Sequence, residues 1–120
     1  MKFKLLCEDI NQPVSYDQLE EDLKEDERIK NEAVNYASEQ LVSEDFDEID
    51  ELNGVSFIKS YKQDEITYHC QFYLDTEARK YSSYVTSEED GDKQTSFQQK
   101  GSIVDAISAI DKFIRFVRTL

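Results

Sequence analysis

The chain has 120 residues and a formal net charge of −13, from 27 acidic side chains against 14 Lys and Arg and one His. That length suits a single α+β-sized domain, residues 1–120, and 38% hydrophobic with 12% aromatic residues is a globular composition, not a disordered one. The charge argues against direct binding to nucleic acid or an anionic membrane, no apolar run approaches the ~20 residues of a membrane span, and acids soon after the start argue against a leader, so a cytoplasmic setting is expected.

Residues 1–8 alternate Met1, Phe3, Leu5 and Cys7 with Lys2, Lys4, Leu6 and Glu8, the period of a half-buried strand whose lysines suit a sheet edge. Asn11-Gln12-Pro13 breaks the pattern. A helix starts next: Ser15 and Gln18 form a capping box, and Val14 and Leu19 are spaced as a hydrophobic staple. Leu19 and Leu23 lie one turn apart; the apolar ladder lapses over Lys24–Arg28 and resumes at Ile29, Ala33, Tyr36, Ala37 and Leu41. This predicts two helices or one kinked helix, with Asp26 able to cap a second helix over residues 27–42. In SEDFDEIDELNG, residues 43–54, Phe46, Ile49 and Leu52 recur at spacing three, Ser43 can cap, and Asn53-Gly54 stands where a helix ends in a left-handed residue. That stretch reads as a short helix.

The period then changes to two. Val55, Phe57 and Tyr61 predict a strand, Gln63-Asp64-Glu65 a turn, and Ile66, Tyr68, Cys70, Phe72 and Leu74 a clean central strand. Arg79–Thr86 and Gln94–Gln99 predict two more, joined by a turn over residues 88–92 that contains the hairpin-favouring Asp90-Gly91. Ser102 caps a last helix with Asp105 in its first turn, an apolar face from Ile103 to Val117, and Lys112, Arg115 and Arg118 toward its negative end. The order β-α-α-β-β-β-β-α, with no repeated βαβ rhythm, predicts an α+β fold: a mostly antiparallel sheet of about five strands with helices packed on one face.

Chemistry-bearing motifs are sparse. His69, the single histidine, falls in the central strand on the side opposite Tyr68 and Cys70, so Cys70 cannot be its nucleophile. Cys7 and Cys70 lack metal-knuckle spacing and read as reduced, buried thiols. No EF-hand spacing fits around Gly54 or Gly91, and three glycines in all leave no phosphate-binding loop. No catalytic set, metal site or cofactor is assigned, and the chain is read as a non-enzymatic protein.

The acids inform by their distribution. Residues 1–54 hold 17 acids against 5 bases, whereas residues 55–120 hold 10 against 9. An exposed helix ordinarily mixes Lys or Arg with Glu at i,i+4, because like charges at that spacing cost a few tenths of a kcal/mol; this segment stays negative at the expense of local stability. The implied partner is a basic protein, such as a nuclease or another nucleic-acid-binding protein, steered to Asp17, Glu20, Glu21, Glu25, Glu44, Asp45, Asp47, Glu48, Asp50 and Glu51. Small size, strong acidity and poor motif content resemble, at the level of composition, the small inhibitors that phages and plasmids use against nucleases, which would make the chain a nucleic-acid mimic. The alternative is an immunity protein or secretion-type chaperone, possibly a homodimer, whose dedicated partner meets the exposed sheet face at His69, Gln71, Tyr73 and Tyr84. On that alternative the acids serve solubility.

Overall fold

The computed structural model describes residues 16–120, with the side chains of residues 16–24 and of Asp26 outside the description. The strand expected over residues 1–8, Cys7, the Ser15–Gln18 capping box and the Val14–Leu19 staple lie outside the described residues. Helix α1 (Tyr16–Val42) leads into strands β1 (Asp47–Glu51), β2 (Gly54–Gln63), β3 (Ile66–Asp75), β4 (Lys80–Glu89) and β5 (Asp92–Ser102). A 3₁₀ turn (Ile103–Asp105) then opens α2 (Ala106–Arg118). The strands form one antiparallel sheet in chain order, β1-β2-β3-β4-β5, and both helices cover the same side. The α+β class read from the sequence is the observed one.

The alternation in β3 sets the layers. Cys70, Phe72 and Leu74 point into the core with Val55 and Phe57 of β2 and Val85 of β4. Phe113 of α2 lies at the centre, its ring 5.5 Å from Phe46, 5.6 Å from Phe72 and 6.0 Å from Phe97. Where the helices meet the core they present small residues, Ala33 and Ala37 on α1 and Ala106 and Ala109 on α2, all buried. The Tyr36 hydroxyl donates to Asp111 Oδ1 at 2.6 Å and ties the two helices together. Among the described residues no helix is long and apolar enough to cross a membrane.

Of the two readings of the first helical segment the single helix is the observed one, and the short helix expected over residues 43–54 is corrected. Helix α1 is continuous: no break occurs at Asp26, because the lapse in apolar residues contains neither Gly nor Pro and is bridged by i,i+3 and i,i+4 pairs, Arg28 with Glu25 and Glu32, and Lys30 with Glu27. The acidic stretch is a turn and an edge strand, not a short helix. Of its three spaced apolar residues only Phe46 is buried, while Ile49 is 40% and Leu52 98% exposed, so a helix there would have no apolar face to bury. Its carboxylates would also face one another at helical spacing, whereas extended backbone alternates them. Asp45 ends α1 with φ 70°; Phe46 N–H reaches Leu41 O and Asp45 N–H reaches Val42 O, the paired bonds of a Schellman closure. Asn53 belongs to a two-residue loop, Leu52-Asn53, between the paired residues Glu51 and Gly54. Gly54 is needed there because a Cβ would meet the Leu74 carbonyl oxygen at 1.8 Å.

Candidate functional site

Among the described strands, β1 is an acidic sheet edge. It carries four carboxylates in five residues, all exposed. Register fixes where each points: Glu48 and Asp50 pair with Phe57 and Val55 and share their helix-covered side, whereas Asp47, Ile49 and Glu51 share the open side with Ile58, Ser56 and Gly54. Ser38 of α1 donates its hydroxyl to Glu48 Oε1, which fastens the helix to the strand. Charged side chains also blunt the unpaired backbone of an edge strand.

Of the ten acids singled out in the sequence, the seven with described side chains differ in their partners. Glu25 is held by Arg28, and Glu44 is clamped by Arg118, whose Nε and Nη2 donate to the two carboxylate oxygens at 3.3 and 2.5 Å. Hydrogen bonding from Arg118 holds the Glu44 carboxyl below its ordinary pKa against the opposing effect of burial. Asp17, Glu20 and Glu21 lie on the α1 backbone, in the part whose side chains are outside the description. Among the described residues, the carboxylates of Glu39, Asp45, Asp47, Asp50 and Glu51 make no hydrogen bond or ion pair. Of the predicted acids with described side chains, those without an internal partner therefore lie in the closing turn of α1 and on β1, with Glu39 beside them at the end of α1. Glu39 was not anticipated, because on sequence it is one solvated helix position among many.

The other predicted set does come together. His69, Gln71 and Tyr73 on β3 and Tyr84 on β4 share the face of the sheet that no described helix covers. The Tyr84 hydroxyl donates to Gln71 Oε1, and Gln71 Nε2 donates to Ser56 Oγ at 3.2 Å, so one ladder crosses β4, β3 and β2. His69 Nδ1 lies 2.9 Å from Ser60 Oγ, and Nε2 lies 3.9 Å from a Glu88 carboxylate oxygen. Burial first, then the neighbouring Asp75, Glu51 and Glu77, pushes the Tyr73 phenol above its ordinary pKa. Two open hollows sit on this side: one of about 440 Å³ at His69, Tyr84 and Lys93, and one of about 570 Å³ at Tyr73, Lys80 and Lys100. Ser56, Ile58, Ser60 and Lys100 complete the face; the sequence reading passed over them because cross-strand neighbours follow only from hairpin registers.

Cys70 faces the core, where burial pushes its thiol up to about 11 and leaves it protonated near neutrality. Among the described residues no three His, Cys, Asp or Glu side chains are placed to hold a metal ion together. No protein-family model matches the chain, and no curated protein and no solved structure shows significant similarity to it. Function is therefore argued from these surfaces.

Proposed function

We propose that the chain is a non-enzymatic, cytoplasmic protein-binding module that docks its acidic edge to a basic, nucleic-acid-binding site on a partner and blocks it, as a nucleic-acid mimic of the anti-defence kind does. The observation that carries the reading is β1, with four exposed carboxylates in five extended residues. At ~3.3 Å per residue this is about one negative charge per ~4 Å, close to the one per ~3.4 Å of a single nucleic-acid strand. Carboxylates without internal partners are free to pair outward, and a field of one sign steers a basic partner to them.

The test is retrieval of partners from lysate at low and at about half-molar salt, where screening shortens to a few ångströms, with duplex DNA as competitor. The expected partner handles nucleic acid, is released by salt and by DNA, and binds at least ~10-fold more slowly to the variant with Asp47, Glu48, Asp50 and Glu51 all changed to Lys. A partner that ignores both DNA and the charge reversal overturns the mimic reading.

A second reading is favoured by the Tyr84–Gln71–Ser56 ladder, which holds a tyrosine in place on an uncovered face. On it, the chain serves one dedicated partner as an immunity protein or chaperone would. That partner survives high salt and is lost in Tyr73→Ala and Tyr84→Ala, while the lysine variant retains it.

A further inference from the structure

The open face differs electrically from the rest of the chain. Its charges are mixed and segregated: Asp47 and Glu51 lie on β1, and Lys80 and Lys100 lie on β4 and β5 at the far side. Farther along the strands, Lys62 of β2 and Glu88 of β4 flank Thr67 of β3. Between the charged rims run Ile49 (40% exposed), Ile58, Tyr73 and Tyr84 (39% exposed).

We propose that this face is a self-complementary interface, on which two copies of the chain pack sheet to sheet about a two-fold axis running along β3. Such an axis lays β1 of each copy over β5 of its mate and β2 over β4. From the registers, Ile58 then meets the mate's Tyr84, Lys62 meets its Glu88, and the mate's Lys100 falls opposite Ile49, between Asp47 and Glu51. The other two-fold in the sheet plane, perpendicular to the strands, would stack the acidic β1 on itself and the lysine-bearing β5 on itself. Charge therefore selects one arrangement. The single like pair it creates, Asp75 against its mate, sits at the rim and already accepts from the N–H groups of Glu77 and Ala78.

The area is adequate. Four strands of ten or eleven residues and the five of β1, at ~4.8 Å between strands and ~3.3 Å per residue, make a patch of roughly 700 Å², near the ~800 Å² that each partner contributes to a standard stable interface. Glu48 and Asp50 stay on the helix side, so each copy keeps part of its acidic docking edge. The dimer takes up Asp47 and Glu51 and leaves Glu48 and Asp50 for docking, so E48K/D50K reads the docking role apart from the dimer.

Sedimentation equilibrium of the full chain over roughly 1–100 μM in physiological salt tests it. The expected result is a dimer that weakens at least tenfold in D47K/E51K and in K80E/K100E alone, is unaffected by E48K/D50K, and returns as a one-to-one heterodimer when the first two variants are mixed. Recovery on mixing also establishes that both variants fold. A monomer over the whole range, a face occupied only by an unrelated protein, or failure of the mixed pair to recover while each variant keeps its native circular dichroism would overturn the proposal.

Discussion

Glu44 shows what a single carboxylate does in this acidic chain. Among the described residues it is the acid of the 43–54 stretch that pairs with a base, Arg118. Because its folded-state pKa is depressed, the stability it contributes is present above the unfolded carboxylate value of about 4.3 and is lost as pH falls through the lower folded value. The pair is half in solvent, with Arg118 64% exposed, so the effect is small. Glu44→Gln is expected to lower Tm by about 1–3 °C at pH 7 and to leave it unchanged near pH 2.5, read by thermal circular dichroism on both proteins at both pH values. No sequence pattern pairs residue 44 with residue 118; the contact exists because the Schellman turn and the end of α2 converge. His69 teaches the opposite lesson: its place on the uncovered face was legible from alternation alone, since β3 is regular along its whole length.

At the scale of elements, legibility followed regularity. Strands β2 to β5 and α2 were readable from period and turn residues, with β4 and β5 running longer than expected because a strand continues for as long as its neighbour pairs with it, whatever its side chains. The acidic stretch was misread because three apolar residues at spacing three fit a helix equally well, and what decided its state was a pairing partner, β2, that lies beyond the window. Its acids were legible as a charge concentration but not as an edge, and the edge is what splits them between two faces. The β2–β3 hairpin gives a prediction of its own. Asp64 and Glu65 both occupy left-handed backbone, φ 54° and 69°, a conformation costing an ordinary residue roughly 1–2 kcal/mol that glycine avoids. Glu65→Gly is expected to stabilise the protein by about 0.5–1 kcal/mol, visible as a higher urea midpoint with unchanged slope.

For the molecule as a whole, a net charge of −13 means that folding gathers negative charge against itself. Screening relieves this, so Tm is expected to rise as NaCl is raised from about 0.01 M to 0.15 M, where the Debye length shrinks from about 30 to 8 Å; a scanning series in salt reads it, and a falling Tm would mean that the chain's own ion pairs outweigh its repulsion. The order of the sheet carries a last consequence. Every strand hydrogen-bonds to its sequence neighbour, so the sheet can close hairpin by hairpin, without waiting for distant chain. Yet the rings of Phe46, Phe72 and Phe97 are covered by Phe113, which lies in α2, after all five strands. On a ribosome, then, the sheet is complete while the part of its greasy side that α2 covers is still bare, and the interval before α2 emerges is when this protein is most in need of a chaperone or most exposed to sticking to its own kind.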